Sequence, residues 1–133
     1  VRDYDLADYA YIFSECVNLK TVPAKLFDHV TEASSGGFNN VFYKSGVETI
    51  PAGLFATCTE ADATSFEAVF MGCPELHTIE GSIFPEVTTI TSMKQMFYGC
   101  PKLVNIPADV FKPFGSAKLK FTNIAYHKYV NLS

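Results

Sequence analysis

Apolar positions recur along this chain in one frame, F-x-x-C-x-x-L-x-x-I-P-x-x-L-F, which restarts every 27 to 29 residues. The first Phe of the frame falls at Phe13, Phe42, Phe70 and Phe97, and the second at Phe27, Phe55, Phe84 and Phe111. A fixed period of this length marks a repeat architecture, in which each copy buries its apolar face against its neighbours. In the third copy Phe66, Val69, Phe70 and Cys73 stand at i, i+3, i+4 and i+7. That spacing predicts one face of an α-helix. Thr64 is placed to cap the helix, with Glu67 completing a capping box, and Gly72 and Pro74 supply the stop. The fourth copy repeats the design with Thr91, Met93, Met96, Phe97, Gly99, Cys100 and Pro101. The first copy uses Tyr9, Ile12, Phe13 and Cys16, and the second Phe38, Val41 and Phe42. A helix of about two turns is marginal alone in water, so it must persist by packing against the copies beside it.

After each expected helix comes L-x-x-I or its equivalent, at Leu19–Val22, Val47–Ile50, Leu76–Ile79 and Leu103–Ile106. One such segment per repeat predicts short strands of a parallel sheet. Pro23, Pro51 and Pro107 then end the strand, while Glu80 takes that place in the third copy. A turn follows, bringing Leu26-Phe27, Leu54-Phe55, Ile83-Phe84 or Val110-Phe111 back into the core. A Thr-rich connection such as Val87–Thr91, expected to be extended, leads into the next copy. The chain therefore reads as one domain over residues 1–133. Residues 1–8 form an N-terminal cap, 9–111 four repeats, and 112–133 either a C-terminal cap or a further degenerate repeat cut short.

F-x-x-C-x-x-L-x-x-I-P, preceded by V-T-x-I-x-S-M-x-x-M-F, resembles the BspA-type leucine-rich repeats of bacterial, Bacteroides-like surface proteins. It is also similar to the M-F-x-x-C-x-x-L repeats of bacterial lipoproteins. The resemblance covers residues 9 to 111 and is tightest in the third and fourth copies. The second copy departs from it, having lost one residue at Ser45-Gly46-Val47 and the Cys. The resemblance implies an α/β repeat fold, a leucine-rich-repeat-like right-handed solenoid with short parallel strands on its concave side and short helices outside. It also implies an exported, cell-surface or outer-membrane-associated adhesin that binds host or bacterial proteins. It carries no shared catalytic residues.

Composition narrows the function by exclusion. The chain has 48% hydrophobic and 18% charged residues and a net charge of −4, which fits a folded protein. Its ten Lys and Arg form no basic stripe, so nucleic acid is not an expected partner. No apolar run approaches the roughly 20 residues of a transmembrane helix. The start, Val1-Arg2-Asp3-Tyr4-Asp5, lacks an initiator Met and a leader and reads as part of a longer precursor. Cys16, Cys73 and Cys100 share one repeat position, where the second copy has Ser45, and Cys58 lies outside it. If that position lies on stacked helices, its copies sit roughly 8–10 Å apart, too far for a disulfide. Free buried thiols are expected. No C-x-x-C or His/Cys spacing suggests a metal site.

No reaction is announced either. A triad can be assembled on paper from Ser, His29 or His127 and Asp, but no nucleophile elbow, phosphate loop, EF-hand or zincin motif supports it. We expect no enzyme activity and no cofactor. Ten of the twelve Phe lie in repeat register and belong to the core. Two outward stripes remain. Lys20-Thr21, Glu48-Thr49, His77-Thr78 and Val104-Asn105 would line the strands, either as a solvated face or as a protein-binding surface. Tyr43, Met71 and Tyr98, with Ser14 in the first copy, would line the flank. Their expected role is packing with wet hydroxyl ends, or a platform for a sugar ring or partner side chain. The expected function is a non-catalytic recognition module for a protein partner. A carbohydrate-binding module using the aromatic flank and a structural stalk segment are the alternatives.

Overall fold

The computed structural model describes residues 9–61, 64–84, 92–107, 110 and 131–132. The expected caps at 1–8 and 112–130, the connection 87–91, and Phe111 lie outside them.

The apolar frame builds a single core. Phe27, Phe38, Phe42, Phe55, Phe66, Phe70, Phe84 and Phe97 are all buried, with Tyr9 and Phe13 packed against them. Their rings form columns that run from copy to copy. Phe13, Phe42, Phe70 and Phe97 stack with centroids 5.6, 5.2 and 6.0 Å apart. Phe27, Phe55 and Phe84 make a second column at 5.5 and 6.0 Å, and Tyr9, Phe38 and Phe66 a third at 5.7 and 5.3 Å. Edge contacts tie the columns together, as between Phe27 and Phe38 at 70° and Phe66 and Phe84 at 68°. Offset-stacked and edge-on pairs of this kind add about 0.5–1.5 kcal/mol each beyond burial.

The backbone around that core is not the one the spacing predicts. No α-helix forms among the described residues, and strands are limited to two-residue segments in separate parallel pairs. The expected right-handed α/β solenoid, with helices outside a continuous concave sheet, is therefore corrected. Strand β1 (Glu32–Ala33) pairs with β3 (Glu60–Ala61), β2 (Thr49–Ile50) with β4 (Thr78–Ile79), and β5 (Asn105–Ile106) with β6 (Asn131–Leu132). Three of the four L-x-x-I segments thus end in a strand, while Leu19–Val22 does not. The β1–β3 pair arises where the sequence reading placed only connections. Asn131 takes the place beside Asn105 that a following repeat's strand would occupy.

Successive turns stand where helices were expected. In the second copy the amides of Gly37, Asn39, Val41, Tyr43 and Ser45 donate to the carbonyl three residues back. The amides between them, Phe38, Asn40, Phe42 and Lys44, donate instead to Ser65, Glu67, Val69 and Met71 of the third copy. The first copy does the same toward the second, with Tyr9, Tyr11, Phe13 and Glu15 donating to Gly37, Asn39, Val41 and Tyr43. A helix satisfies its amides internally; here every second amide binds the neighbouring copy.

This alternation requires the backbone to turn left-handed at two positions per copy. One is Tyr11, Asn40, Ala68 and Gln95, with φ of 63°, 59°, 56° and 59°. The other is Glu15, Lys44, Gly72 and Gly99, with φ of 60°, 54°, 73° and 76°. Non-Gly residues enter this region at a cost of about 1 kcal/mol or more, and the inter-repeat ladder holds them there. The expected capping residues serve the same ladder. Thr64 Oγ1 meets Ser35 Oγ at 3.0 Å, Asn39 Oδ1 accepts from the Glu67 amide at 2.8 Å, and the Glu67 carboxylate accepts from the Ser92 hydroxyl. The left-handed turns predict a sign. Gln95→Gly is expected to stabilise the chain by about 0.5–1 kcal/mol, because Gly occupies φ > 0 freely, whereas a helix would lose about 0.8–1 kcal/mol. Urea denaturation of the single variant decides between them.

Candidate recognition surface

The same ladder that buries the Phe columns sets the strand stripe outward. Lys20, Thr21, His77, Thr78, Val104 and Asn105 are exposed, and Glu48 and Thr49 are half-buried. Backbone hydrogen bonds bring the first three copies into line. The Glu48 amide donates to Lys20 O at 3.0 Å, and the His77 and Thr78 amides donate to Glu48 O at 3.0 and 3.3 Å. Thr49 lies directly opposite Thr78 in the β2–β4 pair. His77 Nδ1 is 2.8 Å from Thr78 Oγ1, so its ring is oriented within the stripe. Asn105 pairs with Asn131, at the end of the row away from Lys20.

Two further residues belong to this face, and the sequence reading passed over them. Lys102 Nζ sits 2.5 Å from Glu75 Oε1, with both side chains about half exposed. The ammonium of Lys102, by hydrogen bond and by charge, holds the Glu75 carboxyl below its ordinary range, and the charges of Lys20 and His77 act in the same direction. Glu75 and Lys102 each follow the Pro after the repeat Cys, in Cys73-Pro74-Glu75 and Cys100-Pro101-Lys102. Opposite charges at one repeat position were the available signal. Adjacent copies place such pairs side by side, as cross-strand neighbours do in a sheet. Being solvent-exposed, the pair orders the surface more than it stabilises the fold.

The flank is also aligned. The carbonyls of Tyr43, Met71 and Tyr98 accept from Glu15 N, Lys44 N and Gly72 N at 2.6, 2.9 and 2.7 Å, one per copy. All three side chains are half-buried, as is Ser14. The Lys44 ammonium lies 5.2 Å from the centre of the Tyr43 ring, a cation–π contact made within the chain itself.

Among the described residues no three His, Cys, Asp or Glu side chains converge in metal-ligand geometry. His29 Nε2 lies 3.4 Å from the Tyr9 hydroxyl. No helix among them is long and apolar enough to cross a membrane. Comparison with family models, with characterised proteins and with solved structures finds no match.

Proposed function

We propose that this chain is a non-catalytic recognition module of an exported bacterial surface protein, binding a protein partner through its strand-side stripe. The observation that carries the reading is the outward row Lys20, Glu48 and His77, unlike in each copy and continued by Val104 in the fourth, beside the row Thr21, Thr49, Thr78 and Asn105. Glu75 and Lys102 broaden it. Inward positions repeat the same residue types, while the outward position of Lys20, Glu48, His77 and Val104 changes charge and shape beside a constant Thr21, Thr49 and Thr78. A mixed-charge surface held on a hydrogen-bonded backbone gives specificity for a partner of complementary pattern. The likeness of the repeat motif to BspA-type surface proteins supports an exported, adhesive setting.

The test is binding of the chain to a panel of extracellular-matrix proteins and glycans by biolayer interferometry. Replacing Lys20, Glu48 and His77 together by Ala is expected to weaken a protein partner at least about tenfold with the melting temperature unchanged, as loss of a few good polar contacts does. Tyr98→Ala abolishing glycan binding while the triple variant binds normally would move the site to the flank.

A further inference from the structure

The cysteine column acquires a chemistry once the helices are replaced by laddered turns. Copies of the repeat are not helix-packed 8–10 Å apart; they are joined by single backbone hydrogen bonds. Phe70 N donates to Met96 O at 3.1 Å and Gly72 N to Tyr98 O at 2.7 Å, in the turn that leads into Cys73 and Cys100. Backbones joined in this way run about 4.8 Å apart. A disulfide spans Cα atoms about 4.4–6.8 Å apart, so the ladder brings this pair into range. Side-chain geometry agrees. Cys73 Sγ donates to Phe42 O at 3.1 Å and Cys100 Sγ to Phe70 O at 3.1 Å, the same pose one copy apart, and the equivalent step along the column, from Ser45 Oγ to Cys73 Sγ, is 3.6 Å.

We propose that Cys73 and Cys100 are a dithiol that closes to a disulfide across the third and fourth copies when the chain meets a low-molecular-weight disulfide oxidant. The other cysteines have no such neighbour. The copy after Cys16 carries Ser45 instead of Cys at that position, and Ser45 Oγ contacts Cys73 Sγ at 3.6 Å. Cys58 lies off the column and is buried, its thiol pushed up to about 11 by burial and by the charge of Glu32. Within the pair, Cys73 attacks first, because Ser45 Oγ lies 3.6 Å from its sulfur, where a hydroxyl can donate to the thiolate. Hydrogen bonds from Cys100 and Ser45 draw its thiol below the ordinary range against the opposing effect of burial. Cys100 is raised, by its hydrogen bond to Cys73 and by burial.

With oxidised glutathione the steps balance. The Cys73 thiolate attacks one sulfur, the glutathione S–S bond breaks, and one glutathione leaves as its thiolate and takes a proton. The Cys100 thiolate then attacks the Cys73 sulfur of the mixed disulfide and expels the second glutathione. Two protein thiols are oxidised, and one oxidised glutathione becomes two reduced ones. Both cysteines are buried, at 0% and 2% exposure, so the exchange runs during folding or local opening.

The experiment refolds the full chain from denaturant in glutathione buffers of increasing oxidised fraction. Free thiols are then trapped with iodoacetamide and peptides mapped by mass spectrometry. The expected product is a Cys73–Cys100 cross-link, with a melting temperature at least about 5 °C above that of the reduced chain, since the bridge closes a loop in the unfolded state. Cys100→Ser should fold, as Ser45 does in the same column, and should lose both the cross-link and the shift. Alkylation of both Cys73 and Cys100 at every buffer ratio would overturn the proposal. So would a bridge to Cys16 or Cys58, or a cross-linked chain that melts no higher than the reduced one.

Discussion

Phe70→Ala is expected to destabilise the chain by about 3–5 kcal/mol, measured as the shift in urea unfolding free energy. The ring is fully buried and lies between Phe42 at 5.2 Å and Phe97 at 6.0 Å. Its removal therefore cuts a column in the middle and opens a cavity that neighbours on either side cannot fill. The fold turns at every few residues, and its backbone is tied to adjacent copies by single hydrogen bonds. It has little freedom to collapse inward, so the cost should lie toward the upper end of that range. A loss below about 1 kcal/mol would mean that the ring columns are not what holds the copies together.

Gly46→Ala is the second large effect. A Cβ at Gly46 would stand 2.1 Å from Val17 O and 2.9 Å from Val17 C, and both are backbone atoms. The Gly46 amide simultaneously donates to Cys16 O at 3.1 Å, so the two segments cannot separate without breaking the ladder between the first and second copies. Overpacking a site that cannot relax costs about 1–3 kcal/mol, and a rigid carbonyl neighbour places this variant near 3 kcal/mol. Equilibrium urea unfolding measures it, and a loss under about 0.5 kcal/mol would show that the close approach is not formed in solution. Gly46 lies in the copy that is one residue short, at Ser45-Gly46-Val47. A missing side chain is what lets the shortened copy keep its place against the first.

The sequence was informative about burial and silent about how the backbone achieves it. Phe66, Val69, Phe70 and Cys73 all face inward, as their spacing requires. The spacing was read as helical because i, i+3, i+4 and i+7 is the helical stripe. A chain that turns left-handed every four residues returns the same positions to the core, and over so short a segment the two patterns coincide. The discriminating feature is φ > 0 at Tyr11, Ala68 and Gln95, and nothing in those residue types favours it. Only Asn40, Gly72 and Gly99 hint at it, and the two glycines read equally well as helix stops. Cys16, Cys58, Cys73 and Cys100 are free, as expected, with all but Cys16 buried; only the helix-to-helix distance behind that expectation does not hold, because the copies are joined by a backbone ladder.

The candidate surface was legible in part. Lys20, Glu48, His77 and Asn105 could be placed outward because they sit beside residues that must be buried. Glu75 and Lys102 share one repeat position, which hinted at a pair, but their contact depends on how closely adjacent copies approach, and that no single repeat shows.

What the sequence alone determined is the period and most of the residues that enter the core; Ile12, expected inward, is 52% exposed. These follow from water excluding apolar side chains, which depends on their order along the chain. What only the tertiary structure decided is where each backbone amide bonds. A short helix and a short turn segment both bury the Phe stripe. The choice between them rests on whether alternate amides can find carbonyls in the next copy, and no single repeat contains that information.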